Sequence, residues 1–248
     1  MCLTASLFAP ILAIIIMDGV TGSKGGAGVW QRIISEMPPH ELYVEAFGGA
    51  AVICRRMRPS DRSIIIERDE ARCSSLIALW TPHGIGDHTV ICADAISLLP
   101  VLHLDTATLV YCDPPYPLQS RRRQRRQYRY ELTDDDHQRL CRCLRSLKCF
   151  VMVSTYANPI YAATLGDWRV VTIPTVTRGG SRSTELLYCN FPETDRRHDT
   201  RFVGHNYRER ERIRRRVSRW VKMLQSMTCS ERAAALAAID AARGPHCP

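Results

Sequence analysis

The chain has 248 residues, of which 45% are hydrophobic, and its formal net charge is +9. This length accommodates one domain with an appendage, and the apolar fraction supports a sizeable core. Two segments account for the whole positive balance: residues 196–222 carry a net charge of +8 and residues 121–129 a net charge of +6, so the remainder is about −5. Such segments suit a phosphate backbone, and a solvated arginine-rich surface is the alternative interpretation.

The cysteines and the N-terminus exclude several other classes of protein. The eleven cysteines are scattered, with no Cys-x-x-Cys pair and no His/Cys cluster at zinc spacing, so we expect no metal site and interpret them as reduced thiols of a cytoplasmic protein. Residues 7–16 are nearly all apolar but too short to span a bilayer, and they lack the basic region of a secretory signal. We therefore expect no membrane association. We treat residues 1–20 as a separate extension and expect Met17 to be the natural start, with a membrane anchor as the alternative interpretation.

From residue 29 onward, helical and extended patterns alternate. Helices are predicted over 29–37, 50–57 and 70–80, and Thr133 is expected to cap a fourth helix with Asp136 at its third position. Apolar strands are predicted at 42–44, 63–66, 90–92, 108–112, 150–153, 168–172 and 185–189. Apolar strands that alternate with helices indicate a mostly parallel sheet covered on both faces. The predicted fold class is therefore α/β, with a Rossmann-like sheet flanked by helices over residues 21–195.

The C-terminal part, residues 196–248, has a different character and predicts a basic helical hairpin appended to the sheet domain. Its first helix is expected over Arg208 to Gln225, and Ser230 is expected to cap a second, alanine-rich helix that ends at Ala242. The first helix has an apolar stripe, which predicts docking on the main domain or on a second copy in a homodimer. The stripe consists of Ile213, Val217, Trp220, Val221 and Leu224.

Asp113, Pro114, Pro115 and Tyr116 directly follow the strand at 108–112. The exocyclic amine of adenine or cytosine is a poor nucleophile, because its lone pair is delocalised into the ring. A site that methylates this amine must accept its two N–H bonds, which the Asp113 carboxylate and the Pro114 carbonyl can do together. Proline adds rigidity without a competing N–H, and Tyr116 offers a ring on which a base can stack. Ligands of open α/β sheets bind at the carboxyl ends of strands, which is where this motif falls.

Three further features lie at the ends of the preceding strands and outline a nucleoside pocket. The segment Glu45-Ala46-Phe47-Gly48-Gly49 lies between a strand and a helix, where glycine allows a sharp turn and a close approach to a ligand. Glu67 ends the second strand at the spacing of an acid that binds ribose hydroxyls, with Asp69 as a competing candidate. Asp94 follows the third strand and is placed to meet an adenine edge.

With these motifs, residues 21–192 resemble the Dam-like D12 class of DNA adenine methyltransferases, particularly its short phage and prophage forms. The resemblance rests on the Gly-Ser-Lys segment at 22–24, the Glu-Ala-Phe-Gly-Gly segment, the Asp-Pro-Pro-Tyr tetrad, and the stretches 128–137, 153–156 and 182–187. The tetrad is shared by all amino-methyltransferases, and the complete set in this order points to adenine.

The resemblance implies methyl transfer from S-adenosylmethionine to adenine in double-stranded DNA, of a restriction-modification or phage-protection type. The cofactor-binding residues are then Lys24, Glu45, Phe47, Gly48, Gly49, Glu67 and Asp94. Asp113 and Tyr116 are implied to handle the flipped base. No covalent intermediate is needed, so no cysteine is expected to act as a nucleophile.

Two departures from the family pattern are Ala46, where proline is usual, and Ala51, where a second glycine is common and a methyl group could crowd the cofactor loop. The interval from Asp94 to Asp113 holds no long recognition insert, so we expect recognition to come from downstream residues. We expect phosphate contacts from Arg121, Arg122, Arg123, Arg125, Arg126, Arg129 and Arg182.

His137, at the start of a helix, is expected to face solvent. The alternatives for function are a methyltransferase acting on the cytosine amino group or on RNA, and a decayed methyltransferase that only binds nucleic acid.

Overall fold

The structure, a computed structural model, describes residues 24, 28–80, 87–121, 125–176 and 182–242. The expected N-terminal extension, the proposed start at Met17 and the arginines at 122 and 123 lie outside these ranges. The chain divides into two compact units, with the boundary between Thr200 and Arg201. No helix within the described ranges combines the length and the apolar character that are needed to cross a membrane.

The described residues of the first unit contain seven strands: β1 (Leu42–Ala46), β2 (Arg62–Glu67), β3 (Asp87–Cys92), β4 (Thr108–Cys112), β5 (Phe150–Tyr156), β6 (Arg169–Val176) and β7 (Arg182–Cys189). They form one sheet in the order β3-β2-β1-β4-β5-β7-β6. Strands β1 to β5 pair in parallel, and β7 runs antiparallel to both β5 and β6. The predicted Rossmann-like, mostly parallel sheet is confirmed.

Helices flank the sheet: α1 (Val29–Ser35), α2 (Val52–Arg56), α3 (Glu70–Trp80), α4 (Ala95–Leu98), α5 (Asp134–Ser146) and α6 (Pro159–Leu165). The predicted cap of α5 is confirmed, because Thr133 Oγ1 accepts the N–H of Asp136 at 3.2 Å and the Asp136 carboxylate accepts the N–H of Thr133 at 3.0 Å. Such a capping box satisfies two backbone donors that the helix itself leaves unpaired. The short α4 and α6 are additions to the elements expected from the sequence.

The core lies between the central strands and the helices on both faces. Every residue of β1 and β4 is buried, which explains why these strands are apolar apart from Glu45 and Thr108. The expectation that His137 faces solvent is wrong: its ring is fully buried, and Nδ1 lies 2.9 Å from the hydroxyl of Tyr161. The reason is that α6 packs against α5 and brings Tyr161 onto this ring.

The strand order reverses between β1 and β4, which are neighbours in the sheet but distant in the chain. The chains leaving two such strands turn in opposite directions and open a crevice at their carboxyl ends. The turn after β1 and the residues after β4 meet at this crevice, because the backbone N–H of Asp113 donates to the carbonyl of Ala46 at 3.4 Å. The fold therefore brings two of the predicted motifs to one place.

The described part of the second unit contains two helices, α7 (Tyr207–Ser226) and α8 (Cys229–Ala242). The prediction that Ser230 caps the second helix is wrong. Thr228 caps it instead, because its Oγ1 accepts the N–H of Glu231 at 3.3 Å and its own N–H donates to the Glu231 carboxylate. Neither helix contains a buried residue, and Trp220 in the apolar stripe is 58% exposed. Self-association through this stripe stays a prediction.

Candidate active site

A tight turn follows β1 and leads into α2. Phe47, Gly49 and Ala51 all have positive φ angles, of 61°, 54° and 46°. Glycine adopts this region without strain, whereas Ala51 holds it at a cost of about 1 kcal/mol. The N–H of Gly48 donates to the carbonyl of Ile66 at 2.8 Å, and a Cβ atom on Gly48 would overlap the Cγ2 atom of Ile65. The turn therefore packs directly against β2, and only glycine fits at position 48.

Glu67, the last residue of β2, organises the opposite wall of the crevice. Its Oε2 accepts the N–H of Gly49 at 2.7 Å, and its Oε1 accepts the N–H groups of Arg68 and Asp69, both at 2.8 Å. Three backbone donors fix the carboxylate, and its fourth acceptor position stays available for a ligand hydroxyl. Asp69, the competing candidate, lies next to it on the same wall.

These walls enclose one cleft of about 950 Å³, counted with its open mouth. It brings together every residue predicted to contact a cofactor, namely Lys24, Glu45, Phe47, Gly48, Gly49, Glu67 and Asp94. Asp113 and Pro115 of the tetrad line the same cleft. The predicted cofactor loop and the predicted catalytic carboxylate thus share one space.

Two of these acids, Asp94 and Glu45, accept hydrogen bonds from neighbouring residues. Asp94 Oδ2 accepts the backbone N–H of Ser97 at 3.1 Å and its hydroxyl at 2.8 Å, which caps α4. Glu45 is buried in β1, and its Oε2 accepts the N–H of Cys54 at 2.9 Å and the hydroxyl of Tyr43 at 3.1 Å. Burial raises the pKa of Glu45 to about 8, so this carboxyl group is mostly protonated at neutral pH.

Asp113 begins the tetrad and is paired with a lysine. The ammonium of Lys24 lies 2.7 Å from Asp113 Oδ1, donates to the hydroxyl of Tyr116, and lies 3.2 Å from Glu185 Oε2. Lys24 and Glu185 are buried, with only 7% and 8% of each residue exposed. Two carboxylates and one ammonium therefore meet at the side of the cleft that Lys24 and Asp113 line.

The electrostatics of this cluster favour an ionised lysine. Although burial by itself would lower the pKa of Lys24, the two carboxylates raise that pKa well above its usual range. Burial raises the pKa of Asp113, and the charge of Glu185 raises it further, whereas Lys24 lowers it. Lys24 therefore opposes the rise in the pKa of Asp113 that burial and Glu185 cause.

Aromatic rings border the tetrad. The rings of Tyr116 and Tyr156 meet edge to face, with centroids 4.7 Å apart. Behind them, the hydroxyl of Tyr111 lies 2.9 Å from Ser154 Oγ, which joins β4 to β5 directly below the tetrad. Pro114 is buried and holds the turn rigid, so the chain leaves β4 in a fixed direction.

The predicted phosphate-binding arginines have different surroundings. Arg125, Arg126, Arg129 and Arg182 are exposed, and Arg129 also lines the mouth of the cleft. Arg121 departs from the prediction: only 6% of it is exposed, its guanidinium pairs with the Glu131 carboxylate, and its Nε donates to the carbonyl of Tyr116 at 2.7 Å. Its donors are directed at the protein itself, so it holds the tetrad loop instead of a phosphate.

Glu185 is the site residue that the sequence interpretation missed. It lies in the Arg-Ser-Thr-Glu-Leu-Leu stretch, whose resemblance to the family was recognised without a role for the acid. The feature of the sequence that could indicate such a role is an acid directly before the apolar residues of β7. The antiparallel pairing of β7 with β5 places it opposite Tyr156, beside the tetrad. That pairing could not be deduced from the strand pattern alone.

Fold and cleft together define a Rossmann-like α/β domain with a ligand cleft at the carboxyl ends of its parallel strands. Residues 82–174 match the family model of the D12 class N6 adenine-specific DNA methyltransferases. This segment includes β3, β4, the tetrad and β5, and it confirms the resemblance that the motifs gave. The match supports methyl transfer as the reaction and an enzyme as the class of protein.

Solved structures with a similar fold include methyltransferases with different substrates. A proposed methyltransferase of Escherichia coli, yhhF, is 16% identical with a TM-score of 0.40, over 59% of this chain and 74% of its own. A 23S rRNA methyltransferase is 14% identical with a TM-score of 0.42, over 68% of both chains. A dimethyladenosine transferase from Plasmodium falciparum is 13% identical with a TM-score of 0.43, over 64% of this chain and 60% of its own. These likenesses concern the fold alone. No curated protein matches this chain.

Proposed function

We propose that this protein transfers a methyl group from S-adenosylmethionine to the exocyclic amino group of adenine in DNA. The observation that carries the proposal is the shared cleft, in which the Gly48–Gly49 turn, Glu67 and Asp113 face one space. The D12 match over residues 82–174 supports adenine as the base and DNA as the nucleic acid. The setting we propose is site-specific protection of DNA, of a restriction-modification or phage type.

The chemistry of the cleft fits this cofactor. Acidic side chains at Glu67, Asp69 and Asp94 line it and suit ribose hydroxyls, an adenine amine and a sulfonium charge, while Phe47 and Leu132 add apolar walls. When bound, the cofactor supplies an electrophilic methyl group on a positively charged sulfur. Phe47, the Gly48–Gly49 backbone and Glu67 would hold it, with Asp113 at the far end of the cleft.

The protein's own contribution is to position the amine and to accept its protons. The Asp113 carboxylate and the Pro114 carbonyl would accept the two N–H bonds, which favours a more tetrahedral nitrogen with an available lone pair. Tyr116 offers its face to the base, and Tyr156 supports that ring from the side. Positioning and electrostatics of this kind supply most of the rate in direct group transfer.

Access to a base in a duplex requires that the base leaves the stack, at a cost of a few kcal/mol. Exposed arginines at 125, 126 and 129 follow the tetrad in the chain and suit the phosphates beside a flipped base. Arg182 is exposed at the start of β7, the strand that carries Glu185. These side chains support DNA as the partner.

The two departures from the family pattern leave the cleft open. Neither Ala46 nor Ala51 is among the described residues that line the cleft. Ala51 is fully buried, and its backbone has the positive φ angle that glycine adopts more easily. The Ala51 methyl group therefore does not narrow the cleft, and the cost of alanine at this position is the strain of its positive φ angle. This favours an active enzyme over a decayed one.

The test is incubation of the protein with radiolabelled S-adenosylmethionine and, separately, duplex DNA and total RNA, followed by nucleoside analysis and mapping. We expect label in N6-methyladenine of DNA at a defined sequence. Label in cytosine or only in RNA would replace the proposed substrate, and an absence of label in all samples would contradict the proposed activity.

A further inference from the structure

The Lys24 ammonium is bound to the carboxylate that the proposed function assigns to the target amine. It donates to Asp113 Oδ1 at 2.7 Å and also to the hydroxyl of Tyr116. An incoming exocyclic amine needs that same carboxylate as its acceptor. The ammonium therefore competes with the amine for Asp113, and a buried ammonium that gives up this acceptor needs a second one at hand.

Glu185 offers that second acceptor. Its Oε2 forms an ion pair with the Lys24 nitrogen at 3.2 Å, and among the described residues no group other than this lysine reaches the oxygen. The residue is 92% buried, since 8% of it is exposed, and it lies opposite Tyr156 in the sheet. A buried carboxylate oxygen that lacks a well-aligned hydrogen-bond donor is costly. The long, flexible side chain of Lys24 can supply that donor after a small movement of its ammonium.

We propose that Glu185 is a positioning residue: it takes over the Lys24 ammonium when the target amine replaces that ammonium on Asp113. This inference rests on the proposed function. A small shift of the ammonium exchanges one charge-assisted hydrogen bond for another, so the lysine stays buried, charged and paired throughout. Lys24 then remains close enough to lower the pKa of Asp113 while Asp113 accepts an N–H bond of the amine.

The charge of Glu185 is the property that matters in this arrangement. A glutamine at position 185 keeps the shape and one acceptor oxygen but does not compete with Asp113 for a cation. In Glu185→Gln the ammonium is then held by Asp113, and the target amine is kept out. If Lys24 is replaced by methionine, no ammonium competes for Asp113. The residue at position 185 should then no longer affect the binding of the target amine.

The experiment is a double-mutant cycle of Glu185→Gln and Lys24→Met, with Glu193→Gln, an exposed acid of the same unit, as the control. Two quantities are measured: the single-turnover methylation rate, and base flipping by the fluorescence of duplex DNA that carries 2-aminopurine next to the mapped target adenine, which keeps its own N6 amine. We expect Glu185→Gln to lower both the rate and the flipped fraction about tenfold, which is the effect of a charge-assisted hydrogen bond. The affinity for S-adenosylmethionine and the control variant should stay at the wild-type level.

In the Lys24→Met background, Glu185→Gln should change flipping by less than about twofold, because the two residues act as a unit. An equal loss in both backgrounds would overturn the proposal, since Glu185 would then act without the lysine. Wild-type flipping and rate in Glu185→Gln would overturn it as well. A parent protein that methylates no nucleic acid would refute the proposed function and this inference together, whereas an active parent with either of the previous results refutes the inference alone.

Discussion

The backbone N–H of Gly49 donates to Oε2 of Glu67 at 2.7 Å, and this bond joins the turn after β1 to the end of β2. The other oxygen of the same carboxylate accepts two further backbone N–H groups. One side chain thus fixes both walls of the cleft, and it does so only as an acceptor. A group that also carries N–H donors cannot replace it without placing a donor against a donor.

Glu67→Gln should therefore weaken the binding of S-adenosylmethionine by about tenfold or more, because an amide N–H would face a backbone N–H. Isothermal titration calorimetry measures this affinity. Glu70→Gln, an exposed acid in the first turn of α3, is the matched control and should bind like the wild type. Equal affinity of Glu67→Gln and the wild type would show that this wall is not part of the cofactor site.

The sequence was sufficient for this part of the molecule, because its signals are local. The glycines that follow one apolar strand and the acid at the end of the next strand mark where each strand ends. Parallel pairing of the strands then brings these ends together. The bounds of β4 and α3 and the cap at Thr133 follow from equally local patterns. Short elements without periodicity, such as α4 and α6, carry no comparable signal.

What the sequence could not show depends on contacts between distant segments. His137 is buried because α6 covers it, and Arg121 is buried because Glu131 lies within reach of its guanidinium. Glu185 reaches the tetrad only through the antiparallel insertion of β7 beside β5. In each case the residue type predicts an exposed side chain, and a contact with a distant segment of the chain buries it.

Arg121→Ala should destabilise the protein by roughly 3 kcal/mol, because it leaves a mostly buried Glu131 carboxylate without its cation. It should also slow methylation, since Arg121 holds the carbonyl of Tyr116. Urea unfolding and a single-turnover assay measure the two effects. Arg139→Ala, which removes an exposed pair with Asp136, is the control and should cost less than about 1 kcal/mol. Similar stability losses in both variants would contradict this interpretation.

The exposed arginines should make DNA binding depend steeply on salt. In the variant with Arg125→Ala and Arg126→Ala, the slope of log affinity against log salt should fall by up to about 2, since each lost phosphate contact removes about 0.9. Fluorescence anisotropy between low and moderate salt measures the slope. Lys148→Ala is the control, because this exposed lysine lies just before β5, at the amino ends of the parallel strands, whereas the tetrad follows the carboxyl end of β4. A flat salt dependence of the wild type would argue against a phosphate track.

Stability should fall in mild acid because of two stacked histidines, His40 and His198, whose ring centroids lie 3.9 Å apart. Burial lowers the pKa of both rings, and for His40, where His198 and Arg58 add to the effect, to about 3. The unfolded chain takes up these protons below about pH 6.5, whereas the folded protein does not. The stabilisation is thus complete above pH 6.5 and is lost as the pH falls towards 3.

For His40 alone this linkage amounts to about 2 kcal/mol at pH 5. Urea unfolding at pH 7.5 and pH 5 should show the loss in the wild type. The variant with His40→Asn and His198→Gln, which keeps donors for the carbonyls of Pro38 and Arg58, should lose less over the same interval. Identical losses in the two proteins would assign the acid sensitivity to other groups.

The central claim is that Asp113 accepts the protons of a target amine at the end of a cofactor cleft. The most direct test is methyl incorporation into duplex DNA by Asp113→Ala, measured beside its affinity for S-adenosylmethionine. Because Lys24 keeps Glu185 as a partner and the cleft walls at Glu67 are untouched, we expect cofactor binding at the wild-type level and no detectable transfer. Methyl incorporation by Asp113→Ala equal to that of the parent would contradict the account.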